Sequence, residues 1–188
     1  MNAVQDSVGF LIESVFQLFM LFVLLRFLFQ LLKVDFRNPM VAPIVKLTQA
    51  PLAWLRRYVP GLWGIDLSAL VLLLILGVVK LLLLSVIKGG AFSVVGGLVW
   101  TTASLLNTTI WIFIISIFAQ AIMSWFAPRP TPITSLLGDM TRAILSPIRR
   151  YLPGMAGIDF SPIVAFLGLN FIQKLIVQPL FHTAMQLM

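Results

Sequence analysis

Four long apolar runs limit what this chain can fold into. They cover Val8–Leu32, Leu67–Ile87, Asn107–Phe126 and Phe160–Phe181. A helix needs about 20 mostly apolar residues to cross the hydrocarbon core of a bilayer, and each run is long enough. Of the 188 residues, 60% are hydrophobic and 10% are charged, whereas soluble domains carry about 25% charged residues. The sequence therefore predicts an all-α integral membrane protein with four spans.

Basic residues predict how these spans are oriented. The net charge of +7 would indicate nucleic acid in a soluble protein, but here we expect none, because Lys and Arg are typical of cytoplasmic loops beside anionic lipid. The basic loops are 33–66 and 127–159. If both are cytoplasmic, in a bacterial inner membrane, both termini are periplasmic. Residues 89–106, rich in Gly, Ser and Thr, then cannot cross fully, and we predict a re-entrant or interfacial segment there.

The two basic loops are copies of one another. Thr48–Val71 aligns with Thr141–Val164, and 13 of 24 positions are identical. Residues 1–88 and 107–188 therefore form two repeats, with 89–106 as the connector. Each repeat reads as a transmembrane helix, a cytoplasmic amphipathic helix and a second transmembrane helix. The copies have the same orientation, so the predicted fold is two parallel tandem repeats.

Each amphipathic stretch ends in Arg-Arg-Tyr. Such helices lie in the headgroup plane, so the sequence predicts a surface that binds anionic lipid headgroups or a membrane-protein partner. Its candidate residues are Arg56, Arg57, Tyr58, Arg149, Arg150 and Tyr151. We also expect Pro51 and Pro147 to bend or interrupt the helices, because proline lacks an amide donor.

A turn motif follows each Arg-Arg-Tyr. Pro-Gly pairs turn the chain, and Gly-Ile-Asp then leads into the next span. The motif residues are Pro60, Gly61, Gly64, Asp66, Pro153, Gly154, Gly157 and Asp159. We predict that Asp66 and Asp159 cap the helices that follow. A compatible alternative pairs them with Arg57 or Arg150.

Polar side chains inside the spans have two interpretations. Asn170 and Ser116 lie near the middle of their spans, where such groups form interhelical hydrogen bonds or line a small pore. Four charged side chains lie off the midplane, and we expect them to extend to an interface. These are Glu13, Arg26, Lys80 and Lys174.

The residue types that carry catalysis are scarce. The chain has no cysteine and one histidine, His182. No phosphate-binding loop and no nucleophile with a base and an orienting acid can be assembled from the sequence. We therefore expect no cofactor, no metal site and no enzymatic activity.

The repeated motifs resemble those of the YggT/YlmG family of small membrane proteins. The second copy carries PIRR at 147–150 and GIDFSP at 157–162, and the first carries GID at 64–66. Gln120 stands where Arg26 would align. The resemblance implies a membrane location and links to osmotic stress and potassium supply, to cell division, and to assembly of a cytochrome complex. We expect a scaffold or assembly factor, with a membrane-protein partner or self-association. The alternative is an ion channel or transport accessory.

Overall fold

The computed structural model describes residues 3–61, 64–126, 131–152 and 159–188. The elements in chain order are α1 (Ala3–Leu31), α2 (Ala42–Leu55), α3 (Leu67–Lys88), α4 (Val94–Phe126), α5 (Pro132–Tyr151), α6 (Ser161–Ile172), a π-helical turn (Gln173–Val177) and α7 (Gln178–Leu187). The all-α prediction is confirmed.

Within the described residues, four helical segments are long and apolar enough to cross a membrane. They are Ala3–Leu31, Leu67–Lys88, Val94–Ser124 and Ser161–Leu187. Each repeat contributes two of them, with the amphipathic α2 or α5 between. The prediction of a multi-pass membrane protein made of two tandem repeats is confirmed.

The third span starts earlier than the sequence predicted. Residues 94–106 are the first part of the continuous helix α4, so they do not form the separate re-entrant or interfacial segment we predicted. The reason lies in packing. A Cβ placed on Gly96 would lie 3.1 Å from the carbonyl of Leu187, so glycine lets α4 approach the end of α7 closely.

The fourth span contains a π-helical turn. Pro179 lies in the first turn of α7, directly after it. Proline lacks an amide donor and its ring crowds the carbonyl one turn back. The turn relieves this crowding, because the amide of Gln178 bonds to the carbonyl of Gln173, one residue further back than in an α-helix.

Each repeat packs its three helical segments around its own apolar cluster. In the first repeat, Leu24 and Leu28 of α1 pack with Leu52 of α2 and Leu73 of α3. In the second, the cluster includes Ile110, Ile114, Ile117, Leu145, Ala165, Leu169 and Val177. A third cluster joins the repeats, because Met140 of α5 packs against the end of α1 and the loop that follows it.

The amphipathic helices continue through their prolines. Pro51 lies inside α2 and Pro147 inside α5. Of the two predicted effects, bending or interruption, interruption does not occur at either proline. Each helix turns one face inward, with Thr48 and Leu52 buried in α2 and Thr141 and Leu145 buried in α5.

Candidate headgroup-binding surface

A buried arginine fastens α2 to the first span. Arg26 of α1 is 5% exposed. Its Nη1 donates to the carbonyl of Val45 at 2.8 Å and to the Thr48 hydroxyl at 3.0 Å. Arg26 therefore extends to α2, the helix that we expect in the headgroup plane, and it is buried there instead of being exposed to headgroups. In a low-dielectric interior the guanidinium is stabilised by these acceptors, which α2 brings within reach.

A glutamine does the same for α5. The Thr141 hydroxyl donates to Oε1 of Gln120, which lies on α4 as Arg26 lies on α1. Gln120 thus occupies the aligned position in space as well as in sequence. Beside it a cavity of about 300 Å³ is lined by Gln120, Gly138, Thr141, Arg142, Ser146 and Arg149. The shorter, uncharged side chain leaves the second repeat with a polar cavity at this position.

Each turn motif forms an ion pair with the end of its amphipathic helix. Arg56 pairs with Asp66, and Arg149 pairs with Asp159, its Nε and Nη2 lying 2.9 and 2.8 Å from the carboxylate. The partner is thus the first arginine of each Arg-Arg, and the predicted pairing with Arg57 or Arg150 is wrong. The pairs differ in burial, since Asp66 is 4% exposed and Asp159 is 40% exposed.

The capping prediction holds in one copy. Asp66 is the N-cap of α3 and accepts from the amide of Ala69 at 3.4 Å. In the second copy Phe160 is the N-cap, and Asp159 accepts from the amide of Ser161 at 2.9 Å. Gly64 has a positive φ of 83°, which favours glycine. Pro153, Gly154 and Gly157 lie outside the described residues.

The second arginine and the tyrosine of each motif are exposed. Tyr58 is 68% exposed and Tyr151 is 84% exposed, and Arg57 and Arg150 are exposed beside them. In the first copy Trp54 adds a ring whose centroid lies 5.3 Å from that of Tyr58. We call these groups the basic surface: Arg56, Arg57, Tyr58, Arg149, Arg150 and Tyr151. Exposed guanidinium and aromatic groups at the end of an amphipathic helix suit a membrane interface.

The chain matches the family model described as CCB3/YggT over residues 5–87 and again over 99–180. It belongs to the CCB3/YggT family. An uncharacterized protein of Pseudomonas aeruginosa is 38% identical over 177 residues, covering 91% of this chain and 88% of that protein. A protein of Escherichia coli K12 named "Uncharacterized protein YggT" is 34% identical over 187 residues, covering 97% and 96%. No solved structure shows significant similarity to the chain.

The mid-span polar groups of this family member have different roles. Ser116 is buried and its hydroxyl faces the Met140 sulfur at 4.0 Å, a weak contact between α4 and α5. Asn170 donates to the carbonyl of Phe166 in its own helix at 2.8 Å. An interhelical hydrogen bond is formed instead by Gln173, three residues after Asn170, whose Nε2 donates to Oδ1 of Asn107 at 2.7 Å.

Sequence reasoning missed both threonines that fasten the amphipathic helices. Thr48 and Thr141 are fully buried. A signal was present, since Thr48 and Thr141 are the first identical pair of the aligned repeats. Gln173 and Asn107 lie outside the aligned segments, so the repeat did not identify them. In the described part of the chain, no group of His, Cys, Asp and Glu is arranged to hold a metal ion.

The Arg149–Asp159 pair predicts a modest acid sensitivity. Burial raises the pKa of Asp159, but hydrogen bonds from Ser161 and Arg149 and the Arg149 charge outweigh it and hold that pKa below 3.8. A depressed folded-state pKa contributes stability that is present above the ordinary value and lost as the pH falls through the folded-state value. We expect acidification below the ordinary value to destabilise wild type more than Asp159→Asn. Melting temperatures across pH check this, and parallel pH curves would contradict it.

Proposed function

We propose that this CCB3/YggT family member is a non-enzymatic scaffold of the bacterial inner membrane. Its two amphipathic helices bind anionic lipid headgroups at the cytoplasmic face and present them to a membrane-protein partner or a second copy. The observation that carries this proposal is the basic surface. Arg57, Tyr58, Arg150 and Tyr151 are exposed at matching ends of two helices that are each fastened to a span.

The charges of the basic surface support lipid binding. Arg56 and Arg149 are engaged by aspartates, which position the helix ends. Arg57 and Arg150 are exposed next to them. A basic side chain near an anionic bilayer surface contributes about 1 kcal/mol of attraction. Arginine also offers forked donors that match a phosphate group.

The cavity of the second repeat adds a place for one headgroup. It has a volume of about 300 Å³, and Arg142, Arg149, Ser146 and Thr141 line it. Arg142 pairs with Asp139 and Arg149 with Asp159, but each guanidinium has further N–H donors, and the Ser146 hydroxyl can donate as well. Because the first repeat has Arg26 at the aligned position, we propose that the second repeat is the copy that holds a headgroup in a defined place.

The positive-inside rule supports the proposed orientation. Both amphipathic helices are on the loop side of the spans, and the basic residues of the two loops are there. Both termini then lie in the periplasm. A reporter fused after Met188 is expected to read periplasmic, and a cytoplasmic signal would reverse the assignment.

The test compares lipid selectivity in variants of the basic surface. We expect Arg57→Gln with Arg150→Gln to reduce the preference for phosphatidylglycerol over phosphatidylcholine by about 10- to 30-fold, because two attractions of about 1 kcal/mol each are removed. Spin-labelled lipids around the protein in vesicles measure this preference. Both arginines are exposed, so the fold is expected to survive.

A control of equal charge is Lys88→Gln with Lys174→Gln, two exposed lysines that lie outside both amphipathic helices. It is expected to change the preference less than the arginine variant does. An equal loss of lipid preference in both variants would show a general effect of net charge and would contradict a specific role for the basic surface. No loss in either would remove lipid binding from the proposal.

The alternative, a channel or transport accessory that supports potassium uptake in osmotic stress, has weaker support. Asn170 is half-buried, but its amide donates within its own helix. Potassium flux in the same vesicles, with and without Asn170→Leu, tests it. Selective flux that this substitution abolishes would replace the scaffold proposal.

A further inference from the structure

Lys80 is buried within a span. It lies in α3, and only 7% of it is exposed, so the expectation that it extends to an interface is wrong. Lys174, one residue beyond the position that aligns with Lys80 in the second repeat, is exposed. A buried ammonium in a membrane is costly without an anion, and such groups mark functional sites. No ion pair among the described residues includes Lys80.

Lys80 lines a cavity of about 550 Å³ among α1, α3 and α4. That volume is typical of small-molecule sites. Its lining has an apolar side and a polar side. The apolar residues are Leu18, Met20, Leu21, Leu24 and Leu105, and the polar ones are Ser14, Gln17, Ser104, Asn107 and Thr108. Among the described residues, Lys80 is the one that brings a charge to this lining.

Two polar side chains of the lining have hydrogen-bond partners outside it, Gln173 and Glu13. Asn107 accepts from Gln173 through Oδ1 at 2.7 Å, which leaves its amide nitrogen as the group it can offer to a ligand. The π-helical turn that begins at Gln173 places that partner, and such turns often occur at functional sites. Gln17 donates to Glu13 at 3.1 Å. The Glu13 carboxylate also attracts the Lys80 ammonium from a distance, but the salt bridges among the described residues do not include this pair.

We propose that this cavity binds the anionic headgroup of a membrane amphiphile. Lys80 would pair with the carboxylate or phosphate, and Asn107 would donate to it. The chain would lie along the apolar side, where Leu18 is 55% exposed and opens the cavity toward lipid. Lys80 is nearer to Lys88 than to Leu67, the end of α3 beside the basic surface. The site is therefore separate from the basic surface and independent of its proposed function.

The experiment measures binding to purified full-length protein in detergent by native mass spectrometry. The probes are oleate, oleyl alcohol and phosphatidylglycerol. We expect oleate or phosphatidylglycerol to bind to wild type, and Lys80→Met to lose at least about 10-fold in affinity, the scale of one charge-assisted contact. Lys80→Arg retains the charge and is expected to retain binding. Lys174→Met is the matched control and is expected to bind like wild type.

The comparison of probes identifies the source of the anion. Binding of oleate alone assigns a fatty acid, and binding of phosphatidylglycerol alone assigns a phospholipid. Equal binding of oleyl alcohol and oleate would overturn the proposal, as would undiminished binding to Lys80→Met. If that variant fails to fold, crosslinking of a photoreactive oleate to the wild-type protein tests the site instead. Crosslinks to residues 14–24 and 104–108 support the site, and crosslinks elsewhere overturn it.

Discussion

Replacing Asp66 by alanine is expected to lower the free energy of unfolding by about 2–4 kcal/mol. Removing one partner of a fully buried ion pair costs about 3–5 kcal/mol. The expected loss here is smaller because Arg56 is 41% exposed while Asp66 is 4% exposed. The substitution also removes the cap on the amide of Ala69, which contributes about 1 kcal/mol.

The matched control for Asp66→Ala is Asp159→Ala. Asp159 occupies the same motif position, but it is 40% exposed and its partner Arg149 is 49% exposed. Exposed pairs contribute about 0–1 kcal/mol. Unfolding of the purified protein in mixed micelles, followed by circular dichroism, measures both losses. Equal losses in the two variants would show that burial does not set the strength of these pairs.

Replacing Gly77 by alanine is the second prediction with a large effect. A Cβ on Gly77 would lie 2.1 Å from Cγ2 and 2.8 Å from Cβ of Thr101. The obstacle includes the Cβ of a β-branched, buried residue, so α3 and α4 must separate. Overpacking of this kind costs about 1–3 kcal/mol. We expect a loss of stability in that range, measured by the same unfolding experiment.

Two variants separate crowding from other causes in the Gly77 prediction. Gly168 lies in α6 with nothing within 4 Å of its added Cβ, so Gly168→Ala is expected to be neutral or slightly stabilising, since alanine favours helix over glycine. Thr101→Gly removes the obstructing side chain but weakens its own helix, since glycine disfavours helix. Gly77→Ala is therefore expected to cost less stability in the Thr101→Gly background than in wild type. An equal cost in both backgrounds would exclude crowding as the cause.

The candidate surface was largely predictable because its sequence motif occurs in both repeats. The aligned repeats identified both Arg-Arg-Tyr motifs and both aspartates, and the structure places each aspartate beside an arginine of its own motif. The choice between the first and second arginine was not predictable. On a helix, neighbouring residues point about 100° apart, and the direction of α2 and α5 depends on what they pack against.

Errors in prediction arose where a side chain depends on a distant helix. Arg26 and Lys80 lie in apolar runs at depths from which a long side chain extends to an interface. The structure buries both. Arg26 donates hydrogen bonds to acceptors on α2, and Lys80 lines the cavity formed with α1 and α4. Neither the acceptors nor the cavity can be recognised from residues next to these positions in the chain.

The sequence by itself determined the membrane class, the four spans and the tandem repeat. The membrane class and the spans follow from hydropathy over about 20 residues, and the repeat follows from a direct match between two segments. Neither property depends on how the helices pack. Only the tertiary structure decided that residues 94–106 belong to α4, that Asp66 is buried while Asp159 is exposed, and that Lys80 faces a polar cavity. These outcomes depend on which helix faces cover one another, because burial and side-chain partners are properties of the packed assembly.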